Sequence, residues 1–182
     1  MKNRLFTHFR PLSVVILLAG GGLLATACQK DDAMIIAPVA PVSPATDEAI
    51  IQKYIADNAI TSAQRQPSGL YFVPVTTNAS AVQATAGKTV SVLYTGMLLN
   101  GNVFDASSQH DNKPFSFVLE HKDPQGNYDV ITGWEKGIAL MHKGEKAILL
   151  IPSALGYGER GAGQFIPPNS VLRFDVELTD VK

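Results

Sequence analysis

The sequence predicts an α+β domain in which a curved antiparallel β-sheet wraps around one short helix, with a further short helix on its N-terminal side. Three observations carry that expectation. Five segments from residue 69 onward have strand-like patterning, a single helix start is signalled among them, and 15 Gly with 11 Pro supply the turns such a fold needs. A composition of 46 % hydrophobic and 17 % charged residues suits a globular core, and 182 residues make one medium domain with appendages.

The appendages come first along the chain. Basic residues in "MKNRLFTHFR" precede an apolar run from Leu12 to Leu24, which ends in the small residues "ATA" and Cys28. A charged head, a short apolar core and a small-residue site are the pattern of a cleaved leader, so residues 1–27 are expected to be a signal peptide. The run is too short for a membrane helix, which needs about 20 apolar residues. Cys28 is the sole cysteine, so no disulfide forms within the chain. "LATAC" is similar to the lipobox of bacterial lipoproteins, with Ala25 where leucine is commonest. That resemblance implies lipidation of Cys28 and attachment to a membrane, since such proteins carry several acyl chains on the one residue. The next four residues, "QKDD" (29–32), resemble an acidic signal that routes some lipoproteins to the cell surface; the alternative is a charged spacer. An outer-membrane lipoprotein, facing outward or toward the periplasm, is the expected setting.

Residues 28–45 are expected to be an acidic, Pro-rich tether, because Pro38, Pro41 and Pro44 favour extended polyproline geometry. Residues 46–68 are read as a helix and a linker. Thr46 offers an N-cap, Asp47 and Glu48 suit the positive end of the helix dipole, and Ile50, Ile51, Tyr54 and Ile55 recur at helical spacing. This helix should end near Asn58 and pack on its own domain rather than on a second copy.

The domain proper spans residues 69–182. "GLYFVPV" (69–75), "KTVSVLYTGMLL" (88–99) and "FSFVL" (115–119) read as strands, and "EKAILLIP" (145–152) is a nearly continuous buried run. "VLRFDVEL" (171–178) alternates, with Leu172, Phe174, Val176 and Leu178 inward. After the second strand comes a turn at Asn100-Gly101-Asn102, then Phe104 and Asp105. The single helix start is a capping box at Thr132-Gly133-Trp134-Glu135, with Gly144 available to close the far end. Trp134 would then lie at the floor of the hollow between sheet and helix.

These residues also carry a family resemblance. "YTGMLLNGNVFDASS", "NKPFSFVL", "VITGWEKGIALMHKGEKA", "IPSALGYGERGAG" and "IPPNSVLRFDVEL" occur in the order and near the spacing of FK506-binding-protein (FKBP)-type peptidyl-prolyl cis-trans isomerases, over Gly69 to Lys182. The chain resembles that family. The resemblance implies an FKBP-like fold and an apolar bowl that receives proline. It assigns Tyr94, Phe104, Asp105 and Tyr157 to the catalytic set, with Asp105 and Tyr157 as the polar rim. Phe115, Val130, Ile131, Trp134, Phe165, Ile166 and Phe174 become substrate-binding residues, Trp134 as platform and Phe165 with Ile166 as flap. Proline-containing polypeptides are the implied partners and FK506-type macrolides the implied inhibitors. Three departures stand out. Asp111 occupies the place where many relatives carry a base that fixes the aspartate, leaving Tyr94 to do more of that work. The Ala106–Lys113 loop is one residue longer, and His121–Asp129 is extended.

The chemistry of the residue types agrees. Rotation about an Xaa-Pro bond is slow because twisting breaks amide resonance, a barrier of about 18–20 kcal/mol. The twisted amide has less charge separation than the planar one, so a desolvated apolar bowl favours it without nucleophile, metal or cofactor, none of which is expected here. The four histidines, at 8, 110, 121 and 142, have no metal-ligand spacing. Losing three of 15 basic residues with the leader leaves 12 against 16 acidic ones, a balance that argues against nucleic acid. Each assignment has a plainer alternative: Phe104, Phe115, Phe117 and Phe174 as core, Asp105 as a turn residue, "GYGERGAG" as an ordinary glycine-rich loop. At the level of function the alternatives are a non-catalytic module binding proline peptides, and a surface adhesin retaining the fold.

Overall fold

A computed structural model describes residues 44–182; the expected leader, Cys28 and most of the tether lie outside the described residues. Among the described residues, seven strands form one antiparallel sheet: β1 (Gln64–Arg65), β2 (Tyr71–Thr76), β3 (Thr89–Leu98), β4 (Val103–Ala106), β5 (Phe115–Val118), β6 (Lys146–Ile151) and β7 (Leu172–Val181). Their order is β1-β2-β6-β7-β3-β4, and β5 also pairs with β3. The ten residues of β3 serve two partners along one side. Thr89–Val92 face β5, with Val92 opposite Phe115. Further along, Gly96 faces Asp105 of β4. Its other side is fully taken by β7, from Val90↔Val181 to Leu98↔Leu172. The pairing register shifts at Pro74/Thr76, Ser91/Val92 and Gly96/Met97, and such breaks in a ladder locally increase strand twist.

The alternation in β7 is as expected: Leu172, Phe174, Val176 and Leu178 are all buried. They join Leu70, Phe72, Val90, Val92, Leu149 and Ile151 in the main core, together with the helix α2 (Thr132–Ile138). Two glycines let α2 lie close against β6. A Cβ at Gly133 would sit 2.5 Å from Ile151, and one at Gly137 2.6 Å from Leu149. The helix α1 (Pro44–Asp57) has a smaller cluster of its own, in which Ile51 packs with Tyr71, Leu150 and Val171. Neighbours along a strand point to opposite faces, so Leu149 and Leu150 feed different clusters. This is why "EKAILLIP" is continuously apolar: the strand is covered on both sides.

The structure corrects four local expectations. The capping box does not form: Ile131 is the N-cap without a side-chain hydrogen bond, and Glu135 Oε2 instead accepts the Glu120 N–H at 2.7 Å. Glu135 is buried, so its carboxylate takes the donor that the neighbouring chain corner presents. Nor does Gly144 close α2, which ends at Ile138. At φ +85° it turns the chain into β6, donating its N–H to Leu178 O at 2.7 Å. The helix α1 begins at Pro44 rather than after Thr46, consistent with the ease of proline in a first helical turn. The linker is not structureless, since Gln64 and Arg65 pair with Phe72 and Tyr71 as an edge strand.

Candidate active site

The bowl is assembled from side chains on four strands and two loops. Tyr94 of β3, Phe115 of β5 and Phe174 of β7 each present a ring to Trp134 in the first turn of α2. Their centroids lie 5.1, 6.1 and 5.3 Å from the indole, all edge-on. Such T-shaped contacts match the positive edge of one ring to the negative face of the next. Phe104 of β4 stands edge-on to Phe174 at 5.5 Å. Room for that pair comes from Gly96, where a Cβ would meet both rings at 2.6 Å. The indole N–H of Trp134 is buried without an acceptor among the described residues.

The resulting cavity is about 390 Å³. Its lining contains all eleven pocket residues anticipated from the sequence: Tyr94, Phe104, Asp105, Phe115, Val130, Ile131, Trp134, Tyr157, Phe165, Ile166 and Phe174. Asp129 and Ala162 complete it and were missed. Ala162 faces the flap through mutual backbone bonds with Ile166. Trp134 and Ile166 are buried, whereas Phe115, Tyr157 and Phe165 are exposed around the mouth at 44, 38 and 63 %. Phe117 lies behind the indole, at 6.0 Å, and belongs to the core. Cys28 lies outside the described residues.

A polar cluster around Asp105 interrupts the apolar wall. The Tyr94 hydroxyl donates to Asp105 Oδ2 at 2.7 Å, and His110 Nε2 lies 2.9 Å from Asp105 Oδ1. Burial pushes the Asp105 carboxyl up, but these two partners outweigh it and hold it below the usual carboxylate range. Burial, and then the same carboxylate, push the Tyr94 phenol well above its ordinary value. Tyr157 shifts upward for the same two reasons in the same order. At neutral pH the Tyr94 and Tyr157 phenols are therefore neutral and face an ionised Asp105. The sequence leaves the anchoring of Asp105 to Tyr94, and the structure adds a second partner. Asp111 does not help, being paired with Lys113. Tyr94 does hold the carboxylate, but His110 shares the task. A one-turn helix, Ser107–Gln109, brings it back over β4; no local pattern distinguishes that histidine from the other three.

Comparison with known proteins agrees with this geometry. Residues 80–179 match the family model described as FKBP-type peptidyl-prolyl cis-trans isomerase. The chain belongs to that family. It is 52 % identical to FK506-binding protein 2 of Candida glabrata over 101 residues, which are 55 % of this chain and 69 % of that protein. With peptidyl-prolyl cis-trans isomerase Fkbp12 of Drosophila melanogaster it shares 40 % identity over 114 residues, 63 % of this chain and 99 % of that one. Among solved structures it is similar to FkpA from Escherichia coli, with a TM-score of 0.63 and 36 % identity. That similarity covers 76 % of this chain and only 61 % of FkpA. The family match begins well after α1, which lies outside it.

Proposed function

We propose that this FKBP-family chain catalyses cis-trans rotation of Xaa-Pro bonds in exported or envelope polypeptides, from a lipid anchor on Cys28. The observation that carries the catalytic reading is the convergence of the eleven anticipated residues on one hollow, floored by Trp134. A pyrrolidine ring seats on the indole, between Tyr94, Phe104 and Phe174, with Val130 and Ile131 at its side. The flanking peptide leaves along Phe115 and under Phe165 and Ile166. Asp105, held by Tyr94, and the Tyr157 hydroxyl supply the polar contacts to the peptide backbone, and the Ile131 N–H donates to a substrate carbonyl.

The rate gain follows from the solvent the bowl replaces. A planar amide is strongly dipolar and is best solvated by water; the twisted amide is less so and loses little on entering an apolar cavity. Binding is thus tighter at the transition state than in the ground state. A barrier lowered by about 5 kcal/mol accelerates rotation several thousandfold. No covalent step is required of any residue.

A protease-coupled assay on an Xaa-Pro peptide tests this. Acceleration that an FK506-type macrolide abolishes is expected. Macrolide binding without acceleration would make the chain a binding module instead. The leader, Cys28, "QKDD" and the proline tether support the setting: the outer membrane, facing outward. Cys28→Ser should release the protein from the membrane fraction with its activity intact. A wild-type protein found soluble and without lipid would remove the anchor from the proposal.

A further inference from the structure

The helix α1 precedes the part of the chain that the family model matches, yet it reaches the loop that carries Tyr157. Asp47, in the first turn of α1, is 1 % exposed. Its Oδ2 accepts two hydrogen bonds from one residue, the Ser153 N–H at 2.8 Å and the Ser153 hydroxyl at 2.6 Å. Ser153 is buried as well and opens the one-turn helix Ser153–Leu155, which leads directly through Gly156 to Tyr157 at the mouth of the bowl. The loop is tied at both ends of that turn: Leu155 N–H bonds to Pro152 O and Gly156 N–H to Ser153 O. The helix that presents Asp47 is itself fixed. Ile51 is fully buried, Arg173 Nη1 donates to the Tyr54 hydroxyl at 2.7 Å, and Tyr71 and Arg65 both donate to Glu48.

A buried carboxylate is a costly way to attach a helix, since an apolar side chain of similar size would do so without desolvating a charge. Its Oδ1 is buried with no partner among the described residues, so the cost is not fully offset. What Asp47 supplies, and an apolar contact would not, is direction: one oxygen fixes both the backbone and the side chain of the loop's first residue. We propose that Asp47 is a positioning residue for the isomerase, acting through Ser153 on the loop that sets Tyr157 at the rim. The helix ahead of the family domain is then part of the site's support. This rests on the role of Tyr157 given under Proposed function.

The test uses the full mature chain at a temperature where every variant is folded by circular dichroism. Asp47→Ala is expected to lower kcat/KM about five- to twentyfold. In a Tyr157→Ala background the same change should cost less than about twofold, because residues acting on one another are not additive. Ser153→Ala, which keeps the backbone bond to Asp47, should show a smaller loss of the same kind, and Ser153→Thr, which keeps the hydroxyl, should restore activity. Should Asp47→Ala fail to fold, the Ser153 pair carries the same test. Equal losses in both backgrounds, or wild-type activity in Asp47→Ala and Ser153→Ala, would overturn the positioning role while the site stands. Wild-type activity in Tyr157→Ala would instead bring down the reading of the rim, and this proposal with it.

Discussion

The two helices lie on opposite faces of one sheet and are held there by different means. The seven-residue α2 has its backbone close against β6, because Gly133 and Gly137 put no Cβ between them and Ile151 and Leu149. The fourteen-residue α1 rests on a cluster with only four buried members, and is joined to the domain by side-chain hydrogen bonds that Asp47, Glu48 and Tyr54 accept. Length is not what makes a helix integral. The short one completes the main core and floors the bowl, whereas the long one buttresses a sheet that is otherwise formed. Each helix also buries one carboxylate that caps a loop N–H: Glu135 of α2 that of Glu120, Asp47 of α1 that of Ser153.

The sharpest way to break this contrast is to push α2 off its strand. At Gly137 the added Cβ alone would sit 2.6 Å from Leu149 Cδ1, and the γ-methyls of valine would meet a buried wall. Gly137→Val is expected to destabilise the whole domain by about 3 kcal/mol, the upper part of the range for overpacked cores. Urea denaturation measures it. An unchanged midpoint would mean that close approach does not hold α2.

Removing buried volume from α1 should act differently. Ile51→Ala empties a fully buried site and is expected to cost about 2–3 kcal/mol, but the loss should be local. Amide hydrogen exchange ought to accelerate along α1 and remain slow in β3 and β7. If protection falls across the sheet as well, α1 belongs to the same cooperative unit as the core and the contrast between the helices fails.

This difference also governs what can be read without a structure. The β7 alternation and the aromatic positions of the bowl are legible because each side chain's burial follows from strand geometry and from its place in a recurrent motif. The continuous run in β6 signals burial on both faces, though not what covers the second one. Illegible are features set by partners distant in sequence. Asp47 looks like an ordinary acid near a helix start until Ser153, 106 positions on, is brought to it. Glu135 reads as a capping-box residue because the local pattern is right, but a buried side chain answers to the nearest unsatisfied donor rather than to its own helix. The two-residue β1 is too short for any period, and His110 meets Asp105 only through the turn between them.

The two buried carboxylates suggest a gentler probe. Burial raises the Glu135 carboxyl above its ordinary value of 4.5, against the opposing hydrogen bond from Glu120. As pH rises past that ordinary value, the unfolded chain gives up this proton while the folded one still holds it. Folded protein thus binds more protons in this window, and stability falls with rising pH until the raised value is passed. Glu135→Gln keeps an oxygen for the Glu120 N–H and cannot ionise. Its Tm relative to wild type should therefore be higher at pH 7 than at pH 4. A difference independent of pH would show that the charge on Glu135 is not what burial opposes.

The smallest expected effect lies at the mouth, where the two anchors of Asp105 can be weighed against each other. The Tyr94 hydroxyl reaches Oδ2 from a partly buried position, and hydrogen bonds to a charged group are worth about 1.5–3 kcal/mol. His110 approaches Oδ1 from solvent, with its side chain 61 % and that of Asp105 42 % exposed. Pairs so exposed contribute about 0.2–1 kcal/mol, because water screens them and two side chains must be held still. For affinity toward an FK506-type macrolide this converts to at least about tenfold lost in Tyr94→Phe and less than about fivefold in His110→Ala. Calorimetric titration of both variants resolves that gap, with unchanged thermal unfolding as the control for fold. A histidine variant as weak as the tyrosine variant would mean that the exposed side of the rim fixes Asp105, and that the longer Ala106–Lys113 loop contributes more to the site than the strand beneath it.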